Sequence, residues 1–140
     1  MIGFVIMRMK QGINNHMHIP VIMKWDPKTK ETQCITLREE TYTTPFGTFI
    51  VPKGFVSDGA SMPRFFWRFI GHPFAMDYLR EAVLHDYFYR TQHIRRKLAD
   101  KIFFNLLKNH LPFRSRLIYW SLRLFGWIAW NENKKKEKHL

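Results

Sequence analysis

Two hydrophobic periods divide the chain. In the first half, apolar and polar positions alternate in short runs separated by turn residues, which is the pattern of strands. Ile19 to Trp25 is apolar and β-branched and stops at Asp26-Pro27. Gln33 to Thr43 alternates, with Cys34, Thr36, Arg38 and Glu40 on one side and Ile35 and Leu37 on the other. Pro45-Phe46-Gly47 marks a turn, Phe49-Ile50-Val51 a third strand, and Pro52-Lys53-Gly54 its end. These runs predict three or four strands in one small antiparallel sheet of hairpins.

From Ala75 the period lengthens to that of a helix. Ala75, Tyr78, Leu79, Ala82, Val83 and then Asp86/Tyr87 share one face, and Thr91-Gln92 ends the segment. Ile94, Leu98, Ile102, Phe103 and Leu106 mark a second helix that stops before Pro112. A third runs from Arg114 to Trp130, with Leu117, Trp120, Ser121, Leu124, Phe125 and Ile128 expected inward. The expected fold is α+β: a small antiparallel sheet, then three helices. The short connection between the first two makes them an antiparallel hairpin. Residues 1–130 read as one domain, and 131–140 as a basic tail that frays.

Composition narrows the functions open to such a fold. Of 140 residues, 46% are hydrophobic and 16% aromatic, enough for a core and against wholesale disorder. The formal charge is +12, and residues 71–140 hold fourteen Lys/Arg against six Asp/Glu. A basic surface fits a polyanionic partner such as an anionic membrane face, an acidic protein or nucleic acid, and equally a solvated surface with a charged tail. The single cysteine, Cys34, excludes an intrachain disulfide and a cysteine metal cluster, and its strand position reads as buried. The segment Met1–Arg8 does not read as a signal peptide, and no apolar run reaches the roughly 18 residues of a membrane span.

The chemistry concentrates in Leu84-His85-Asp86-Tyr87-Phe88-Tyr89-Arg90 and in Ala99-Asp100. His85 and Tyr89 are spaced i, i+4 and share a helix face, while Asp86 is turned about 100° away. In an antiparallel hairpin Asp100 can reach the His85 ring. A carboxylate on one ring nitrogen leaves the other to take a proton from water, which is general-base geometry. Asp86 with loop oxygens would suit a hard cation, Ca²⁺ being the natural candidate. The competing reading is a structural polar cluster, with Asp100 paired to Arg96 or Arg95 and His85 bonded to a carbonyl.

A second block, Gly54-Phe55-Val56-Ser57-Asp58-Gly59-Ala60-Ser61-Met62-Pro63, has the composition of a loop. Asp58 and Ser61 can cap the following segment, or Asp58 can complete a cation site beside Asp86. Ser61 has no base in its own segment, which argues against a serine hydrolase, and no zinc-protease, phosphate-loop or nucleophile-elbow motif occurs. Arg114, Arg116 and Arg123 with Tyr119, Trp120, Trp127 and Trp130 make the third helix basic and aromatic. Such a helix lies on a membrane interface, stacks on single-stranded nucleic acid, or simply turns its arginines to water.

Three ordered motifs carry a resemblance over about residues 45–126. They are Val51-Pro52-x-Gly54-Phe55-x-Ser57-Asp58-Gly59-Ala60-Ser61-x-Pro63, Ala82-x-x-His85-Asp86-x-x-Tyr89, and Arg96-x-x-Ala99-Asp100-x-x-Phe103. Tyr119 and Arg123-x-Phe125-Gly126 follow. Together they resemble a family of phage and prophage proteins known as domain-of-unknown-function family 1353. That resemblance implies a virion or lysis setting, in the particle or the bacterial host cytoplasm, with other virion proteins as partners. The helix pair also resembles phospholipase A2. This second likeness implies His85 as base, Asp100 orienting it, Tyr89 supporting it, and Asp86 on Ca²⁺. The calcium loop of that family is absent, so Ser57-Asp58-Gly59-Ala60 would substitute. The functional expectation is a calcium-dependent lipid ester hydrolase acting at an anionic bilayer. The alternative is a non-enzymatic virion or assembly protein whose His/Asp cluster is structural.

Overall fold

The computed structural model describes residues 4–5, 19–28, 31–57, 78–109 and 111–138. They fall into two compact units, Met1–Asp58 and Gly59–Leu140. The first is β and the second α, so the fold class is α+β.

Among the described residues the β unit holds two antiparallel sheets rather than one. Strands β1 (Phe4–Val5), β2 (Val21–Asp26), β3 (Glu31–Thr36) and β6 (Val56–Ser57) form a sheet in the order β1-β2-β3-β6. Strands β4 (Glu40–Thr44) and β5 (Gly47–Val51) form a separate hairpin. The β2–β3 turn starts at Asp26, whose Oδ1 accepts the Lys28 amide at 2.9 Å. At the β4–β5 turn Gly47 sits at φ +128°, a conformation that disfavours any residue with a Cβ. Thr44 Oγ1 donates to the Gly47 carbonyl at 2.8 Å and closes that turn.

The predicted Gln33–Thr43 strand is therefore two strands in two sheets. Parity hides the break, because Cys34, Thr36, Glu40, Tyr42 and Thr44 are all buried and all even-numbered. Leu37, Arg38 and Glu39 between them are exposed. The chain turns out of the first sheet at Thr36, whose hydroxyl donates to Pro52 O at 2.8 Å and accepts the Phe55 amide at 3.0 Å. Gly54, at φ +80°, returns its amide to Thr36 O at 2.9 Å. One threonine thus fastens the end of β3 to the loop that delivers β6. Cys34 is buried, as expected of a lone strand cysteine.

The α unit has three described helices: α1 (Leu79–Thr91), α2 (Arg96–Leu107) and α3 (Pro112–Lys138). Gln92, left-handed at φ 52°, ends α1 where the Thr91-Gln92 break was expected. Pro112 opens α3, a position where its missing N–H costs no helical bond. Tyr78, Phe103, Leu107, Ile118 and Leu122 form the core between the three helices. Each fully buried side chain of this kind stabilises the unit by about 1.5–3 kcal/mol. Among the described residues no helix is long and apolar enough to cross a membrane.

Helix α3 departs from expectation in two ways. It continues past Trp130 to Lys138. Its buried side is also different: Ser115, Ile118, Ser121, Leu122 and Ala129 face inward, whereas Leu117, Trp120, Leu124 and Ile128 are exposed. Only Ser121 of the predicted inward set is buried, with Phe125 half-buried. The helix is apolar on two sides, so its period does not say which side packs. The side rich in serine, glycine and alanine lets the helix axis come close to its neighbours, and the tryptophan side does not.

Candidate active site

Helices α1 and α2 bring His85 and Asp100 together in the interior. His85 Nε2 and Asp100 Oδ1 are 2.9 Å apart, and both residues are buried. Tyr89, one turn after His85, donates its hydroxyl to the same Oδ1 at 2.7 Å. Phe103 stacks on the imidazole at a centroid distance of 4.6 Å, and the Tyr89 ring tilts against it at 4.3 Å. The i, i+4 spacing of His85 and Tyr89 lets one carboxylate oxygen receive both.

The other carboxylate oxygen faces arginines. Arg123 Nη1 of α3 donates to Asp100 Oδ2 at 2.9 Å. Arg96, one turn before Asp100 on α2, lies 3.6 Å from Oδ2 and donates to the Leu122 carbonyl at 2.9 Å. Asp100 therefore takes partners from all three helices. Burial by itself would raise its pKa. The hydrogen bond and charge of His85, then the bonds from Tyr89 and Arg123, outweigh that and hold it below the ordinary value of 3.8. Burial first, and then the Asp100 charge, push the Tyr89 phenol far above its ordinary value, so it remains an O–H donor. Because Asp100 is ionised, Nε2 is the nitrogen that carries the proton in neutral His85. The lone pair of the ring is then on Nδ1.

Helix α3 supplies parts that sequence reasoning placed elsewhere. The sequence puts Arg123 and Trp130 in a basic-aromatic set; in the structure Arg123 binds Asp100 and Trp130 meets Tyr89 edge-on at 5.2 Å. Gly126 lies between them on the same helix side. A Cβ there would stand 2.5 Å from the Tyr89 hydroxyl and 3.2 Å from Arg96 Nη1. The available signal was the spacing of Arg123, Gly126 and Trp130 at i, i+3 and i+7, which puts them on one side. Of the competing pairings, Arg96 stands beside Asp100 and Arg95 is exposed at the N-cap of α2.

Asp86 is buried, turned away from the dyad, with Arg90 Nε 3.7 Å from its Oδ2. Asp58 and Ser61 lie outside the described residues. Among the described residues no group of three His, Cys, Asp or Glu side chains is placed to hold a metal ion.

An α+β protein with a buried imidazole–carboxylate–phenol chain locked by arginine is the class that fold and site define. The chain belongs to the family described as protein of unknown function (DUF1353), whose model matches residues 35–122. An uncharacterized protein of Sinorhizobium fredii, y4jT, is 36% identical over 80 residues. That match covers 54% of this chain and 23% of the relative's own length. No solved structure matches the chain.

Two expectations follow from this geometry. The carboxyl pKa of Asp100 is depressed on folding, so its stabilisation is complete above the unfolded value and is lost as pH falls through the folded one. Urea midpoints should therefore fall on acidification below about pH 4, and Asp100→Asn should flatten that slope while costing about 3–5 kcal/mol at neutral pH. Second, Gly126→Ala should destabilise by about 1–3 kcal/mol, against the usual helix-propensity gain. In a Tyr89→Phe background the penalty should shrink, because the clashing oxygen is gone; equal penalties in both backgrounds would contradict the close approach.

Proposed function

We propose that this protein is an ester hydrolase in which His85 is the general base and Asp100 its orienting carboxylate. The observation that carries the reading is the 2.9 Å His85–Asp100 contact, reinforced at the same oxygen by Tyr89. In this mechanism Nδ1 takes a proton from water as the water oxygen attacks the ester carbonyl. Collapse of the tetrahedral adduct breaks the acyl C–O bond, and the imidazolium returns the proton to the departing alkoxide. Asp100 stabilises the imidazolium, and Arg123 and Arg96 keep Asp100 ionised. Tyr89 and Gly126 hold the geometry without touching substrate.

The lipid and calcium parts of the proposal rest on the likeness of the helix pair to phospholipase A2. They place the substrate in an anionic bilayer and Ca²⁺ on Asp86 and Asp58. The phage or prophage setting, in the virion or the host cytoplasm during entry or lysis, rests on the resemblance of the motifs alone. A second reading is favoured by one observation: Asp100 is also held by Arg123 and flanked by Arg96. A carboxylate so saturated suits a structural bolt in a non-enzymatic virion or assembly protein, with neighbouring virion proteins or nucleic acid as partners.

Fatty-acid release from phosphatidylglycerol vesicles separates the two. In the hydrolase reading His85→Gln lowers the rate by about 10²–10⁴-fold with a melting temperature close to wild type. A wild-type protein without activity, together with a His85→Gln variant that melts many degrees lower, would establish the bolt. The cation is tested apart from activity. Millimolar Ca²⁺ should raise the melting temperature by mass action, a chelator should reverse this, and Asp86→Asn should abolish it.

A further inference from the structure

Helix α3 carries a second apolar side that the core does not use. Phe113, Leu117, Trp120, Leu124 and Trp127 repeat at alternating steps of four and three, with Ile128 beside them. All six are exposed, Phe113 at 79% and Trp120 and Leu124 at 63% each. At 100° per residue this stripe is centred roughly 150° around the helix from Ile118, Leu122 and Ala129, which pack in the core. It runs about 22 Å along the helix. An exposed apolar stripe of this length marks an interaction surface.

The charges beside the stripe select the partner. Over Pro112–Lys138 there are seven Lys/Arg and two Glu. Arg114 and Arg116 are exposed next to Phe113 and Leu117, and Lys134, Lys135 and Lys136 are exposed at the far end. Trp127 and Ile128 share a concavity of about 440 Å³ with Asn131, Glu132, Lys134 and Lys135. Lysine side chains thus line the same concavity as indole and aliphatic surface. Stacking this side on a second copy would set positive charge against positive charge. Leu117, Leu124 and Ile128 have no π-face for stacking bases, which disfavours a nucleic-acid strand.

We infer that this side of α3 is a docking surface for an anionic phospholipid bilayer. The helix lies in the plane of the interface, with Trp120 and Trp127 at headgroup level. Phe113, Leu117 and Leu124 enter the acyl boundary, and the terminal arginines and lysines rest on lipid phosphates. The inference stands whether or not His85 is catalytic.

The test is co-sedimentation of the full chain with vesicles of equal phosphatidylcholine and phosphatidylglycerol, compared with pure phosphatidylcholine, while tryptophan emission is followed. Binding is expected to the anionic vesicles with a blue shift, and to the neutral ones at least tenfold more weakly. The triple variant Trp120→Ser, Leu124→Ser, Trp127→Ser should lose at least tenfold in affinity with unchanged far-ultraviolet circular dichroism. Should that variant misfold, Lys134→Gln, Lys135→Gln, Lys136→Gln provides the check: weaker binding with a shallower salt dependence. His85→Gln should bind vesicles like wild type, so a failed hydrolase reading and a failed docking surface give different results. No binding to the anionic vesicles overturns the inference. So does a concentration-dependent dimer, or an oligonucleotide complex, that the triple variant abolishes.

Discussion

One buried carboxylate sets the geometry of the helical unit. Asp100 is fully buried, and each of its oxygens is engaged by side chains from more than its own helix. An ionised carboxylate is tolerated at such a place only when every lone pair meets a donor. That demand draws His85 and Tyr89 from α1 and Arg123 from α3 to a single point. Arg123 in turn fixes the rotation of α3 about its axis. With Arg123 directed at Asp100 and Gly126 against Tyr89, Ile118 and Leu122 fall into the core, and the tryptophan–leucine stripe is left on the opposite side.

The same contacts serve chemistry and stability, which is why the site admits two readings. A carboxylate bonded to Nε2 fixes the orientation and tautomer of the ring, as a general base requires. Arginine on the second oxygen reduces the negative charge that the imidazolium would feel, as a structural bolt allows. Tyr89 contributes to both, because its phenol stays protonated and keeps donating. Arginine therefore weighs toward structure and the imidazole toward catalysis.

Much of the helical site was legible from spacing. The step from His85 to Tyr89 put both on one helix side, and the short link to α2 implied an antiparallel partner carrying Asp100. Arg123 was not legible as a ligand. In a helix rich in arginine and tryptophan, nothing local distinguishes a cation turned inward from one turned to water. In the β unit, alternation identified the strands but missed the change of sheet at Leu37–Glu39. Cys34, Thr36, Glu40, Tyr42 and Thr44 keep the same parity across the break, and only the long-range bonds of Thr36 to Pro52 and Phe55 reveal it.

The sequence by itself determined the α+β class, the end of α1 at Gln92, the burial of Cys34, and the pairing of His85 with Tyr89 on one side of α1. Those properties follow from neighbours within a turn or two, where backbone geometry dictates which side chains meet. Tertiary structure alone decided which of the two apolar sides of α3 packs, that Arg123 completes the Asp100 cluster, and that two sheets rather than one make the β unit. These depend on contacts between residues distant in the chain, and local periodicity is the same for either outcome.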